Sequence, residues 1–311
     1  MYRQKEIIQS QQVRGITNGI VSGISFGLIP LFSIPLIKEG MGDATILVYR
    51  FLFGCSAMLA VLLLRRTNMH ISSGDFCRIC ILSVFYIGTA IATLECYHYL
   101  SSGIATALVF TDPIWCAVIG LLFLGDKFSW RLTISIILAT MGVMMLTGIF
   151  TEDGRFSLIG LVWGLCSGLS YAGYILLVPR LRVGDIPSLK LTFYVFFIGM
   201  LLLIAYNFIS EGEIQQPMNH SCWINLILLG LIPTALSNIC VTMSLKLIDS
   251  TVVAILGAFE PLTAMVVGLT VLGEPFNVVS ILGAILILVS VGILTMSARS
   301  KFKHSACNLF L

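Results

Sequence analysis

Four ionisable side chains stand where an apolar chain least tolerates them. Arg50, Glu95, Asp112 and Glu260 each fall within a run of mainly hydrophobic residues, and a charge near the centre of such a run costs at least ~2.5–3.5 kcal/mol on membrane-insertion scales. Glu260 lies about ten residues into its run and Asp112 about nine into its own, entering from the opposite side. At 1.5 Å per residue, ten residues amount to roughly 15 Å, the midplane of a ~30 Å hydrocarbon core. Each acid is followed at once by a proline, Pro113 or Pro261. A proline removes one backbone hydrogen bond and kinks a helix, freeing carbonyls where a midplane solute site would need them. The functional reading is therefore that Glu260, and by analogy Asp112, binds a cationic group or takes up a proton. The competing reading is that each carboxylate caps or ties neighbouring helices.

Arg50 and Glu95 lie about seven and five residues from the outer ends of their runs, close enough in depth to form a structural ion pair. An anion site at Arg50 is the alternative. Uncharged groups complete the candidate lining: Asn18 and Ser25 in the first run, Trp115 beside Asp112, Trp163 and Tyr171 in the sixth, Thr234 and Asn238 in the eighth. Each could equally bridge helices, a common use of small polar residues in membranes.

The elements that would hold these groups follow from hydropathy. Hydrophobic residues make up 58% of the 311 positions, charged residues 11%, and mean hydropathy is +1.00, against roughly 25% charge in soluble domains. About 20 apolar residues cross a bilayer, and ten segments meet that length: roughly 15–37, 43–64, 77–99, 103–124, 130–150, 157–179, 188–210, 222–245, 250–272 and 277–297. With the N-terminus inside, fifteen of the eighteen Lys and Arg residues fall on the cytoplasmic side, as the positive-inside rule requires. The expectation is a multi-pass protein of the cytoplasmic (inner) membrane with both termini cytoplasmic. The connections run to about a dozen residues at most, too short for a soluble catalytic domain.

The first span carries Gly15, Gly19, Gly23 and Gly27, a face nearly free of side chains. A shift of 145 residues lays it on Gly160, Gly164, Gly168 and Ala172, and carries Ser25 to Ser170, Tyr49 to Tyr194 and Gly54 to Gly199. A shift of 148 carries Asp112-Pro113 to Glu260-Pro261, Gly120 to Gly268 and Gly125-Asp126 to Gly273-Glu274. The fold expected is thus an all-α integral membrane protein of ten transmembrane helices, built as two inverted five-helix repeats. Residues 1–14 form a cytoplasmic tail, 15–150 the first repeat, 157–297 the second and 298–311 a C-terminal cytoplasmic tail. Because five is odd, the copies enter the membrane from opposite sides, an architecture found in secondary transporters.

The segments FEPLTAMVVGLTVLGE (259–274) and TDPIWCAVIGLLFLGD (111–126), set in this duplicated layout, resemble the drug/metabolite transporter superfamily in its EamA branch. The first copy differs in having Asp112 before its proline and Asp126 in place of the usual Glu. The resemblance spans nearly the whole chain and implies transport of small organic solutes, amino-acid-like or drug-like, mostly outward.

Competing functions lack their residues. No HExxH, GxSxG or metal-ligand cluster is present, which argues against the runner-up, an intramembrane enzyme; a non-transporting polytopic protein is the other alternative. Cys77 and Cys80 form a lone CxxC without a second pair, so neither zinc nor any other cofactor is expected. The scattered cations build no nucleic-acid face. Partners are a small-molecule substrate and membrane lipid, with the fifth and tenth spans as candidates for a homodimer contact.

Overall fold

The computed structural model describes residues 2–123, 130–146, 157–181, 183, 186–210, 212–248, 253, 256–274, 278–279, 281–290 and 292–293. These form helices α1 (Tyr2–Gly27), α2 (Ile29–Lys38), α3 (Asp43–Leu64), α4 (Ser73–Tyr97), α5 (Ser102–Val109), α6 (Asp112–Phe123), α7 (Trp130–Leu146), α8 (Leu158–Arg180), α9 (Ser188–Ser210) and α10 (His220–Gly230). A π-helical segment (Leu231–Leu236) then leads into α11 (Ser237–Leu247), followed by α12 (Phe259–Thr270) and α13 (Ile281–Ser290). No strand occurs among the described residues.

Among the described residues seven helical stretches are long and apolar enough to cross a membrane: 11–38, 43–64, 73–99, 102–123, 158–178, 188–210 and 220–247. Against the ten spans expected, the fifth, ninth and tenth meet the described residues as shorter apolar helices, 133–142, 259–270 and 281–290. Asp126 and the proposed C-terminal tail lie outside the described residues.

Side chains fix the helix ends. Ser72 and Asn219 accept from Asp75 N and Cys222 N as N-caps, filling donors that a first turn leaves unmatched. At the end of α12 the chain turns through Gly273 at φ 65°, a conformation natural to glycine. This brings Glu274 back onto α5: its carboxylate accepts from Ser102 N at 3.0 Å and from Ser102 Oγ at 2.7 Å. A negative group there also complements the positive end of the α5 dipole.

Hydrocarbon provides no hydrophobic drive between helices, so close backbone approach and side-chain hydrogen bonds must hold them together. The two glycine faces do this. On α1, a Cβ at Gly15 would strike Leu247 and Ile248, at Gly19 Leu256 and Ser244 Oγ, and at Gly23 the Leu256 carbonyl and Phe259. On α8, Gly160 lies against Tyr99 and Leu100, Gly164 against Leu108 and Cys96, and Gly168 against the Leu108 carbonyl and Thr111. Ser244 Oγ donates to Gly15 O at 2.8 Å, and Cys96 Sγ to Gly160 O at 3.3 Å. Thus α1 nests on α11 and α12, while α8 nests on α4, α5 and α6. Helices α3 and α9 pack together and carry the main apolar core, with Phe51 and Phe196 fully buried and stacked at 5.1 Å.

Backbone atoms face Gly23 and Gly168 and cannot swing aside. Leucine at either position should lower stability by about 1–3 kcal/mol, the usual range for overpacking. The thermal unfolding midpoint in detergent should fall for both, whereas Gly74→Ala, with only Ser72 Oγ at 4.0 Å, should leave it nearly unchanged.

Candidate functional site

Two spans break where their acids sit. The fourth stops after Val109, passes Phe110 and Thr111, and restarts with Asp112 as the first residue of α6. The ninth turns at Gly257 and Ala258 and restarts as α12, in which Glu260 is second. In an unbroken helix Pro113 and Pro261 would leave the carbonyls of Val109 and Gly257 without their donors. Here the chain restarts instead: Glu260 N donates to Gly257 O at 2.9 Å, and Thr111 Oγ1 to Leu108 O at 2.7 Å. The two prolines therefore occupy first turns, where the ring costs nothing, rather than kinking continuous helices as the sequence suggested. Both carboxylates stand at positive helix ends.

A third proline shapes the eighth span. Pro233 has no N–H for the carbonyl of Leu229, and the helix widens to π geometry over Leu231–Leu236, as it often does at functional sites. Thr234 Oγ1 supplies the missing donor, reaching Leu229 O at 2.9 Å. Ser237 Oγ donates to Pro233 O at 2.6 Å, and Asn238 Nδ2 to Thr234 O at 2.7 Å. The first of these bonds offsets the donor that the proline removes.

Arg50 points into this segment. It is only 4% exposed, and its Nε donates to Thr234 Oγ1 at 2.9 Å. The α3 face that carries it packs on the π segment, with Gly54 against Thr234 and Gly230 against the Arg50 carbonyl. The expected Arg50–Glu95 pair is thus not formed: the ion pair among the described residues is Arg78–Asp75, and His98 Nε2 lies 3.1 Å from the Asp43 carboxylate. The phase of α3 turns Arg50 toward α10 and the π segment, and its charge instead feels Glu260, Tyr86 and Tyr97.

These groups converge. Glu260 lies within electrostatic reach of Arg50, Tyr86, Tyr97, Asp112 and Tyr171. Asp112 is 7% exposed. Rings form one wall of the site: Tyr86 meets Tyr171 and Tyr174 edge-on at 6.3 and 5.4 Å, the latter two stack at 5.9 Å, and Tyr86 also touches Phe51 and Phe196. Asn238 lies beside the Tyr86 hydroxyl. Of the residues singled out from sequence, Glu260, Asp112, Tyr171, Thr234 and Asn238 come together. Ser25 is buried in the last turn of α1, and Asn18, Trp115 and Trp163 are half-buried; no hydrogen bond or ring contact among the described residues joins them to that group. Sequence reasoning passed over Tyr86, Tyr97 and Tyr174, whose signal was a phenol inside an apolar run, an apolar body with a polar tip that must find a partner.

Among the described residues no cluster of three His, Cys, Asp or Glu could hold a metal. Cys77 and Cys80 are free thiols on α4.

The sequence profile of the EamA-like transporter family matches residues 13–148 and again 158–296. The chain belongs to this family. Among its relatives, an uncharacterized transporter of Archaeoglobus fulgidus is 25% identical over 210 residues, 68% of this chain and 73% of its own length. The uncharacterized transporter YoaV of Bacillus subtilis is 23% identical over 272 residues, 85% and 92% of the two chains, and YdfC of the same organism is 24% identical over 267. A solved crystal structure superposes with a TM-score of 0.64 over 92% of this chain and 98% of its own, at 15% identity, a likeness of fold alone. The chain is a multi-pass membrane protein of a transporter family, and the polar group described above occupies the interior of that EamA-like fold.

In this EamA-like site Thr234 holds two otherwise dissatisfied groups at once. Thr234→Val keeps the volume but removes the hydroxyl, leaving Leu229 O and Arg50 Nε unmatched. An unsatisfied buried polar group costs about 1–3 kcal/mol, so the thermal midpoint should fall clearly; Thr234→Ser should retain most of it.

Proposed function

We propose that the protein is a secondary transporter that carries small organic metabolites, amino-acid-like or drug-like, outward across the cytoplasmic membrane by alternating access. The observation that carries this reading is the convergence of a buried carboxylate, a half-buried one and a buried guanidinium where two spans break and a third widens to π geometry, walled by tyrosines. Interrupted helices that present polar groups at mid-membrane are how transporters expose a solute site without leaving backbone unsatisfied in lipid.

Ten spans in two inverted five-helix repeats, 15–150 and 157–297, remain our reading of the architecture. Two observations support it: the paired contacts of the two glycine faces, offset by 145 and 148 residues, and the double match to one family profile. In this arrangement α1 nests in the second half and α8 in the first, so a rocking motion would turn on two glycine-lined joints. Both termini would face the cytoplasm, with the fifth and tenth spans available for a homodimer contact. An intramembrane enzyme is disfavoured because the converging groups include no nucleophile paired with a base.

Glu260 is assigned to substrate or proton binding, with Asp112 as its counterpart. Counterflow with a panel of labelled amino acids, amines, organic acids and drugs in reconstituted vesicles tests the function. Glu260→Gln keeps the shape and removes the titration, so transport should be lost or become flat between about pH 5.5 and 8, where histidines and perturbed carboxyls titrate. An unchanged pH profile in this variant would remove Glu260 from the cycle.

A further inference from the structure

Arg50 is unusual for a cation in lipid. It is 4% exposed, carries no carboxylate within ion-pair distance among the described residues, lies 5.9 Å over the Phe51 ring, and commits only its Nε to a hydrogen bond, with Thr234. Its two terminal nitrogens have no protein acceptor among the described residues. A guanidinium so held presents a planar fork of donors matched to the two oxygens of a carboxylate. The fork is anchored from behind: Thr234 fixes Nε, and Thr234 is itself fixed by the carbonyl that Pro233 frees. Rings stand close by, with Tyr86 6.0 Å from Phe51 and also against Tyr171 and Tyr174.

We propose that Arg50 is the anion-binding group of the central site, and that it docks the carboxylate of a solute with a planar or aromatic body while Glu260 takes up a proton. The inference rests on the transporter reading and names its substrate class. The charged and titratable groups within electrostatic reach of Glu260 are Arg50 from α3, Tyr86 and Tyr97 from α4, Asp112 from α6 and Tyr171 from α8; Glu274, beyond the far end of α12, is occupied by Ser102. Arg50 is thus the only cation in the group, and a charged Glu260 competes for its field. A solute anion at Arg50 and a negative Glu260 repel one another in a low-dielectric space, so each favours the state in which the other is neutralised, and the coupling is reciprocal. The proton passes from water on one side to a Glu260 carboxylate oxygen and leaves to water on the other, with no other bond made or broken. A monoanion then crosses with one proton and no net charge, in the direction set by the combined gradients of the anion and the proton, so an organic acid that accumulates inside leaves when its own gradient exceeds any opposing proton gradient.

Three probes of similar size separate the charge classes: phenylacetate, phenylacetamide and phenethylamine. In vesicles holding the full chain, phenylacetate should exchange faster at acid than at alkaline pH, and a trapped pH dye should report protons moving with it. Arg50→Gln should weaken phenylacetate binding by about tenfold or more, the scale of one charge-assisted contact. Glu260→Gln should still bind phenylacetate but lose the proton signal. Thr234→Ser, which restores a hydroxyl behind Nε, should keep phenylacetate affinity, whereas Thr234→Val should weaken it several-fold without changing charge; this pair decides the matter if Arg50→Gln fails to fold. Exchange confined to the amide or the amine, or phenylacetate exchange indifferent to both Arg50→Gln and Thr234→Val, would overturn the assignment and leave the transporter reading standing. If no solute of any charge exchanges in the wider panel, the transporter reading itself falls, and this inference with it.

Discussion

A backbone N–H or C=O that meets neither water nor a partner in hydrocarbon costs several kcal/mol, and the interior of this protein is arranged around that penalty. Three of the spans that build the site carry prolines near mid-depth, and each proline abolishes a donor. At Pro113 and Pro261 the chain meets the loss by ending one helix and beginning another, so that the proline falls in a first turn. At Pro233 it stays helical, widens to π geometry, and returns a donor from the Thr234 side chain. The functional groups are by-products of these repairs. Asp112 and Glu260 stand at fresh helix starts, and Thr234 holds Arg50 with the oxygen that already serves Leu229.

The glycine faces answer a second constraint from the same solvent. Lipid offers little gain for burying leucine, so helices hold by surface fit and by bonds to carbonyls that retain a free lone pair. Ser244 on Gly15 O and Cys96 on Gly160 O are such bonds, and both lie where the absence of a Cβ lets the partner helix come within reach. Such joints are tight yet contain few interlocking side chains. Two surfaces of this kind can slide or tilt at lower cost than interdigitated leucines, which links the sequence spacing of four to motion as well as to packing.

Much of this is legible in the amino-acid sequence. The spacing of Gly15, Gly19 and Gly23 and its echo at Gly160, Gly164 and Gly168 announced two close-packed helices, because only backbone-to-backbone approach needs that pattern. The acid-proline pairs were visible as charges that hydrocarbon would not tolerate without purpose. What the sequence could not carry was helix phase. Depth along a span follows from counting residues, and by depth Arg50 and Glu95 matched; the rotation of α3 about its axis is set by Gly54 and Gly230 meeting in three dimensions, and that rotation gives Arg50 to Thr234. The π segment was equally hidden, since Pro233 in an apolar run is compatible with a kink, a break or a bulge. The tyrosines of α4 and α8 entered the site for the same reason, through a helix pairing that no local pattern encodes.

The charge balance of the interior gives the arrangement its direction. Two carboxylates and one guanidinium, all charged, leave one negative charge in excess, which a low-dielectric interior penalises. A direct Arg50–Glu260 bond would settle that competition and leave an inert, self-neutralised core, as buried ion pairs commonly do when they fix a single packing. Here Thr234 holds the guanidinium by its rear nitrogen, so that Arg50 and Glu260 feel each other without closing the contact. The unresolved competition keeps both groups available to a third, mobile charge or to a proton. A site that neutralised itself completely would have no reason to bind anything, whereas one held slightly out of balance by a single threonine must complete its electrostatics with what arrives from either side of the membrane.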